Sequence, residues 1–456
     1  MKATVKRPLD RRSFFRAAGT AAGGLGVSGL LTDAVLEAQP QNVQRNSIPS
    51  QLKITDLRVA TVVDAPMTCP IIRLDTNQGL VGWGEVRDGA SASYALFLKS
   101  RLLGENPCHV DRLFRKVKQF GGHARQAGGV CGVEMALWDL AGKAYGVPAF
   151  QMLGGRFRDQ VRLYADTTEA DNATEQGRRL KARMDQGFTY LKQDFGINLL
   201  KDIPGTLTKP LGMGIAGRGT VMHPFTGISL TDKGVARLSD YVAAIREVIG
   251  SEVPLSSDHY GHIDVNSCIR LARAMEKHHL AWMEDMVPWQ FGHLLKEIKE
   301  STATPILTGE DIFLKEEFIK LIEMGAVDMI HPDLASSGGL LETKKIGDYA
   351  MEHGVAMAMH FAGTPISFMA NVHCATATEN FIALEHHSVD VPWWEDLVTG
   401  IEKPIFRKGF AVAPETPGLG VDVNLEVVKA HLKPGTQAFP PTPEWDNERS
   451  WDRLWS

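Results

Sequence analysis

The sequence predicts an α/β fold in which an eight-stranded parallel barrel follows a smaller α+β domain. Three observations predict it. Short apolar runs alternate with amphipathic helical segments after Gly155, polar residues end six of these runs at nearly constant spacing, and residues 52–155 combine strand patterns with a long helical pattern. With 456 residues, the chain is long enough to bury both cores.

The first domain is predicted from two different periodicities. Apolar and polar residues alternate over 53–59, 71–76 and 80–85, and the residues 77–79 (Asn-Gln-Gly) are typical of a turn between the last two strands. Residues 132–143 instead have apolar positions at helical spacing. A small antiparallel sheet packed against helices is therefore expected.

The barrel is predicted over residues 160–400, because eight strands are the number that closes such a barrel. The eight apolar runs are 161–165, 187–192, 253–258, 280–284, 305–309, 327–331, 355–360 and 381–385. The polar residues at or just after the ends of runs three to eight are Asp258, Glu284, Glu310, Asp333, His360 and Glu385, which lie 26, 26, 23, 27 and 25 residues apart. Each gap fits one strand, one helix and two loops. All six side chains should therefore emerge at one end of the barrel, where such barrels carry their chemistry.

One gap is too long for a single strand and helix. Lys192 and Asp258 are 66 residues apart, which predicts an insertion over 195–231. Its prolines and glycines suit either a lid over a site or a passive surface loop, and the sequence leaves both open.

Asp258, Glu284 and Glu310 are predicted to hold a divalent metal ion. Three carboxylates at neighbouring strand ends would repel one another unless a cation neutralised them. A ligand set made only of oxygen atoms favours Mg²⁺, or Mn²⁺, over Zn²⁺.

His360 and Asp333 are predicted to form a general base, since a carboxylate bonded to an imidazole fixes its tautomer and raises its basicity. Lys192, at the end of the second run, could offer positive charge to a substrate carboxylate. Glu385 could hydrogen-bond an enolic oxygen if it is protonated, or hold other side chains if it is ionised.

The overall charge and the cysteines limit the partners. A net charge of −5 gives no basic surface for nucleic acid, so a small molecule is the expected ligand, and the candidate site residues make it a carboxylate. The five cysteines are scattered and include no CxxC pair, which predicts core residues and leaves room for one disulfide in an oxidising compartment.

Residues 1–40 are typical of a twin-arginine export signal. Arg11 and Arg12 precede Ser-Phe-Phe, and an Ala/Gly/Leu stretch that is too short to span a membrane covers residues 17–31. A periplasmic enzyme is therefore expected, with no membrane span in the mature protein. A disordered basic tail on a cytoplasmic enzyme is the alternative.

From about residue 52 to 425, the chain resembles the enolase superfamily, in particular its mandelate racemase-like branch. The marks of that resemblance are residues 136–143 (ALWDLAGK), 147–148, 153–155, 309–310 and 417–421 (PGLGV), together with the Asp333/His360 pair. The resemblance implies a modified TIM barrel of the (β/α)7β type. It also implies that residues 52–155 form a capping domain completed by 401–456, that magnesium binds the three carboxylates, and that an enediolate forms. We also expect a homo-oligomer.

The second strand departs from the racemases, which carry Lys-x-Lys where this chain has Lys192-Gln193-Asp194. Losing one of two opposed bases favours a reaction that needs only one, such as dehydration of a sugar acid to a 2-keto-3-deoxy acid. Asp194 as a weak second base keeps a racemase, epimerase or cycloisomerase open. A non-catalytic periplasmic sugar-acid binding protein is the remote alternative.

The general acid and the substrate contacts are left open. Some dehydratases of the family place a histidine two residues after the first metal ligand, but Tyr260 stands there, with His259 and His262 beside it. These residues, or His360 itself in a syn elimination, are the candidate acids. His259 is also a candidate substrate contact. Arg87 could bind a distal hydroxyl or a second carboxylate, or form a surface salt bridge.

Overall fold

A computed structural model describes residues 47–210, 225–258 and 262–447. Its strands are β1 Ile54–Val62, β2 Cys69–Thr76, β3 Val81–Glu85, β4 Val161–Ala165, β5 Leu191–Asp194, β6 Leu207–Thr208, β7 Ser229–Leu230, β8 Leu255–Asp258, β9 Met283–Glu284, β10 Ile306–Thr308, β11 Met329–Ile330, β12 Ala356–Met357, β13 Leu384–His386, β14 Val398–Thr399, β15 Phe406–Arg407, β16 Phe410–Ala411 and β17 Asp422–Val423. Its α-helices are Ser93–Leu96, Lys99–Leu102, Val110–Val117, Gly128–Tyr145, Ala149–Met152, Ala173–Asp185, Asp232–Ile249, Val265–Met275, Gly292–Glu300, Lys315–Met324, Leu334–Ser337, Leu340–Glu352, Pro365–Ala377 and Leu425–Ala430. The predicted signal over 1–40 lies outside these residues, as do His259 and Tyr260.

The first domain is the predicted antiparallel sheet with a helix against it. Strands β1, β2 and β3 pair in that order, and the buried helix Gly128–Tyr145 packs on them. Gly84 permits this close approach, because a Cβ atom there would lie 1.9 Å from the carbonyl oxygen of Gly132. The α+β architecture of this domain is confirmed.

Eight parallel strands form the barrel. Strands β4, β5, β8, β9, β10, β11 and β12 pair in sequence, and β13 pairs with β4. A parallel bridge between Met359 and Leu384 joins β12 to β13 and closes the circle. Part of the barrel interior is filled by a cluster of buried side chains that includes Tyr164, Tyr190 and Trp282. The predicted α/β barrel is confirmed, with one strand in each of the eight apolar runs.

The long gap after β5 contains the two-stranded antiparallel pair β6–β7. Residues 211–224 of the predicted insertion lie outside the described structure. The described part of 195–231 does not contribute to the lining of the main cavity at the barrel mouth. A lid function for this insertion stays a prediction.

The carboxyl-terminal segment contacts both domains. Residues 406–411 form the hairpin β15–β16, which pairs antiparallel with β4 of the barrel. Further on, Val62 of β1 bridges to Leu432, and the Thr442 hydroxyl donates to the Leu57 carbonyl at 3.0 Å. The chain therefore leaves the barrel edge before it reaches the first domain's sheet.

Two of the family motifs meet at Asp139, which is fully buried. One carboxylate oxygen accepts from the backbone N–H of Leu419 at 2.8 Å, and the other accepts from the N–H of Trp83 at 2.9 Å and from Lys143 at 2.7 Å. Gly418, with φ +73°, lies so close that a Cβ atom would be 2.2 Å from the Asp139 carboxylate. The motifs at 136–143 and 417–421 therefore tie the terminal segment to the first domain.

We expect Gly418→Ala to lower the free energy of unfolding by about 2–5 kcal/mol, because left-handed strain and a steric clash add. The matched control is Gly354→Ala, since Gly354 has φ +69° and a Cβ atom added there would meet no atom within 4 Å. The control should cost only about 1 kcal/mol. Urea unfolding of both variants checks this, and equal losses would show that the Asp139 contact is not the cause.

Two buried carboxylates of the first domain contact amino termini of barrel helices. Glu85 accepts from the N–H groups of Thr364 at 3.0 Å and Ser367 at 3.4 Å, at the start of Pro365–Ala377. Glu134 accepts from Leu340 N–H at 2.7 Å, at the start of Leu340–Glu352. These contacts hold the first domain against the barrel, because backbone donors at a helix start are satisfied across the interface.

All five cysteines lie within the described residues and each is a free thiol, so no disulfide forms among them. Four of them are buried, which fits the prediction of core residues. Among the helices that the structure describes, none is both long and apolar enough to cross a membrane.

Candidate active site

The barrel carries a cavity of about 400 Å³ at the carboxyl ends of its strands. Predicted site residues that line it are Arg87, Lys192, Asp194, Asp258, His262, Glu310 and His360. Three others, Glu284, Asp333 and Glu385, are buried directly behind this lining. All six strand-end residues therefore lie together at one end of the barrel, as their spacing in the sequence predicts.

The acidic centre differs in one member from the predicted set. Asp258, Glu284 and Asp285 place carboxylate oxygens within 4.8 Å of one another. Glu310 lies in the same cavity but is turned towards Arg87, at 3.4 Å, and towards His360, at 3.1 Å. Asp285 is thus a further candidate ligand, and Glu310 as a ligand stays a prediction.

The carboxylates fit a divalent cation. Burial and the Asp258 charge raise the pKa of Glu284 well above its usual value, and burial and Glu284 do the same for Asp285. A dication placed among them would remove this cost of ionisation. The cavity lining also holds six carboxylates against three Lys or Arg side chains, an excess that would repel an anionic substrate unless a cation bound. The residues present therefore suit a hard divalent ion.

Glu284 is held in place from behind by two aromatic side chains. The Trp282 indole N–H donates to Oε2 at 3.1 Å, and His331 Nδ1 lies 2.6 Å from Oε1. Burial and the Lys192 charge lower the pKa of His331 to about 4, so this imidazole is neutral at pH 7. Such outer contacts orient a carboxylate that binds a metal.

His360 and Asp333 form the predicted pair. A backbone bridge joins the two residues, and Nδ1 of His360 lies 2.5 Å from Oδ2 of Asp333. The other oxygen of Asp333 accepts from the N–H of Ala335 at 2.6 Å, which fixes the carboxylate at a helix start. With Nδ1 bound to Asp333, Nε2 is the nitrogen on the cavity side, where it lies 3.1 Å from Oε2 of Glu310 and can accept a proton from a ligand.

Arg87 corrects the expectation of a surface salt bridge. Its side chain has 0% exposure, and it lies 2.6 Å from Asp333 and 2.8 Å from Asp88. It also donates to Ser336 Oγ at 3.0 Å. Because its guanidinium is surrounded by protein groups, the structure favours a positioning role for Arg87 over a substrate contact. It links the first domain to the carboxylate that orients His360.

Replacing Arg87 should destabilise the fold strongly. Arg87→Met leaves the buried Asp333 carboxylate without its arginine and Asp88 with only Arg125, and breaking a buried ion pair typically costs about 3–5 kcal/mol. Arg87→Lys keeps the charge but cannot reach both carboxylates at once, so an intermediate loss is expected. Urea unfolding measures both, and a loss below about 1 kcal/mol for Arg87→Met would contradict the buried ion-pair role.

Lys192 and Glu385 form one ion-pair network. The Lys192 ammonium lies 2.8 Å from Glu385, 2.9 Å from Asp258 and 3.3 Å from Glu284. Although burial opposes ionisation, Lys192 and His387 hold the pKa of Glu385 well below its usual range. Glu385 is thus ionised, which favours the role in which it holds other side chains over donation to an enolic oxygen.

Four residues of this centre were missed from sequence: Asp166, Asp285, His331 and His387. Asp166 directly follows β4, and His387 directly follows β13. Applying the strand-end rule to the first run as well, and to the two residues after each run, would have found both. Asp285 is adjacent to a predicted ligand. His331 had no comparable signal, because a histidine at the end of an apolar run is usually a core residue.

Both domains match one family. Residues 38–154 match the mandelate racemase / muconate lactonizing enzyme N-terminal domain, and residues 175–427 match the enolase C-terminal domain-like family. The chain belongs to the mandelate racemase / muconate lactonizing enzyme branch of the enolase superfamily. The contacts of Glu85 and Glu134 with barrel helices join the two domains of this superfamily member.

Several known proteins are similar to this superfamily member over most of its length. A D-xylonate dehydratase from Haloferax volcanii is 34% identical over 85% of this chain and 90% of its own length. A D-galactonate dehydratase from Verminephrobacter eiseniae is 30% identical over 83% of this chain and 94% of its own length. The crystal structure of a mandelate racemase/muconate lactonizing enzyme-like protein from Rubrobacter xylanophilus superposes with a TM-score of 0.75 at 32% identity, covering 86% of this chain and 100% of that one.

Proposed function

We propose that this superfamily member is a metal-dependent dehydratase of a sugar acid, a hydro-lyase that forms a 2-keto-3-deoxy acid. The observation that carries the proposal is the His360–Asp333 pair facing the Asp258, Glu284 and Asp285 carboxylates across one cavity. The similarity to D-xylonate and D-galactonate dehydratases supports the substrate class.

The proposed metal is Mg²⁺, with Mn²⁺ as a substitute, held by Asp258 and Glu284 together with Glu310 or Asp285. These ligands are all oxygen atoms, which is the donor set that these ions prefer. When bound, the ion would neutralise the substrate carboxylate and the negative charge that develops on it.

The chain's own residues perform the proton transfer. Asp333 holds the ring of His360 through Nδ1, so that Nε2 takes the proton from C2 of the sugar acid. The resulting enediolate loses the hydroxyl from C3, and the enol that remains becomes the 2-keto acid. Lys192, buried among three carboxylates, supplies fixed positive charge beside them.

A racemase or epimerase is the second candidate, because Asp194 lines the same cavity. It would need Asp194 to return a proton to the opposite face of C2. The neighbouring Gln193 is fully buried and contacts Ser257, so it does not supply a base to the cavity. One well-oriented imidazole base suits elimination better than a two-base reaction.

The test is a screen of the full chain with Mg²⁺ against a library of aldonic and uronic acids. The readout is a 2-keto acid, detected as its semicarbazone. Turnover of a C4–C6 sugar acid with kcat/KM above about 10³ M⁻¹s⁻¹ would support the proposal, since enzymes commonly reach about 10⁴ M⁻¹s⁻¹ or more.

Other outcomes select the alternatives. Exchange of the C2 hydrogen without keto acid would select the racemase or epimerase. Binding of a sugar acid with neither exchange nor turnover would select the non-catalytic binding protein.

A further inference from the structure

His387 lies at the reaction cavity, next to the predicted base. It directly follows β13, its ring lines the cavity, and its ring centroid is 5.4 Å from that of His360. The side chain is 18% exposed, so a ligand in the cavity can touch it. None of the steps assigned above uses this imidazole.

Two carboxylates flank the His387 ring. Nε2 is buried and lies 3.2 Å from Glu385, whereas Nδ1 lies 3.3 Å from Asp166, which is itself partly exposed. Against the effect of burial, Asp166 and Glu385 raise the pKa of His387 to about 9. The imidazole is therefore cationic at neutral pH and carries a proton on both nitrogens.

A dehydratase needs such a proton. Hydroxide is a poor leaving group, so departure of the C3 hydroxyl requires an acid that protonates it as the C–O bond breaks. The position two residues after Asp258 holds Tyr260, which is a weaker acid than an imidazolium. In the function proposed above, His360 is the base that accepts the C2 proton.

Resting on the dehydratase function proposed above, we propose that His387 is the general acid that protonates the departing C3 hydroxyl. His360 Nε2 takes the C2 proton, and the electron pair of that C–H bond enters the substrate carboxylate to give the enediolate. When the enediolate collapses, that pair forms the C2–C3 double bond and the C3–O bond breaks. The hydroxyl takes the proton of His387 on the Asp166 side and leaves as water. The enol then loses its hydroxyl proton and gains a proton at C3. Exchange with solvent removes the extra proton from His360 and restores the lost proton of His387.

The placement of the two rings predicts the geometry of elimination. β12 and β13 are neighbouring strands, so His360 and His387 approach the substrate from adjacent positions on the barrel rim. The C2 hydrogen and the C3 hydroxyl must then lie on the same face, which is a syn elimination. Glu385 stabilises the positive charges of both Lys192 and His387, because its carboxylate lies 2.8 Å from Lys192 and 3.2 Å from His387.

The test compares His387→Asn with the unaltered protein on two substrates. The first is the sugar acid that the unaltered protein dehydrates best, and the second is its 3-deoxy-3-fluoro analogue, whose fluoride leaves without prior protonation. We expect the variant to lose about 10²–10⁴-fold in kcat on the hydroxyl substrate. On the fluoro analogue the loss should stay within about threefold, and the C2 hydrogen should still exchange in D₂O. His353→Asn, at an exposed histidine, is the matched control and should match the unaltered protein.

The outcomes separate this inference from the function on which it rests. Equal loss on both substrates, or loss of C2 exchange, would show that His387 is not the acid while leaving the dehydratase function intact. Full activity of the variant on the hydroxyl substrate would also overturn it. If the unaltered protein dehydrates no sugar acid, the proposed function fails first.

Discussion

Replacing His360 by asparagine is expected to lower kcat/KM by about 10²–10⁴-fold, the usual contribution of a general base. Asparagine can still contact Asp333, whose carboxylate stays fixed by Arg87 and by the Ala335 N–H group. The fold should therefore survive, and the loss should appear in kcat more than in KM. Exchange of the C2 hydrogen in D₂O should fall in parallel, because the same nitrogen removes that hydrogen in both reactions.

Asp333→Asn is the companion variant. It keeps the size of the side chain but removes the charge that orients and supports the His360 ring, so a loss of similar order is expected. Steady-state kinetics together with circular dichroism check both variants. If His360→Asn retained C2 exchange at the original rate, another residue would be the base and the assignment would be wrong.

Removing the divalent ion is expected to abolish turnover and to lower thermal stability. A ligand present at about 100 times its Kd stabilises the folded state by about 2.7 kcal/mol, so adding Mg²⁺ to chelator-treated protein should raise Tm by several degrees. Mn²⁺ should replace Mg²⁺ in both respects. Calorimetry of the metal-free protein measures the shift without relying on activity.

Variants of the carboxylates locate the ion. Glu284→Gln and Asp258→Asn should lose most of the Mg²⁺-dependent rise in Tm, even if removing a buried charge raises the Tm of the metal-free protein. Asp159→Asn is the control, because its side chain is 93% exposed and outside the cavity. A full Mg²⁺ response in both carboxylate variants would place the ion elsewhere. Comparing Glu310→Gln with Asp285→Asn then decides between those two candidate ligands.

The barrel and the chemistry at its rim could be predicted because strand ends repeat. Parallel strands of one barrel place the residues that follow them on one face. The spacing of Asp258, Glu284 and Glu310 was therefore enough to predict that these residues lie close together. The pair of His360 and Asp333 follows from the same rule, since their strands are neighbours. The regular spacing of the strand ends is therefore enough to predict which residues lie together at the barrel rim, without knowing how the side chains pack.

Side-chain direction and contacts between the domains could not be predicted in this way. Glu310 turns to Arg87, a residue that is 223 positions away in sequence and belongs to the other domain. The spacing also gives no sign that Arg87 is completely buried, because a charged residue in a loop is normally exposed. His387 was missed because the strand-end rule stopped at Glu385, two residues earlier.

The most direct test of the proposed function follows the C2 hydrogen itself. The full chain with Mg²⁺ and its best sugar acid in D₂O is monitored by proton NMR until turnover ends. The dehydratase mechanism predicts that the C2 hydrogen is lost and that the 2-keto-3-deoxy acid carries one deuterium at C3. Recovery of the acid deuterated at C2 with its C3 hydroxyl in place, and no 2-keto acid, would contradict it and would mean that His360 serves a racemase or epimerase instead.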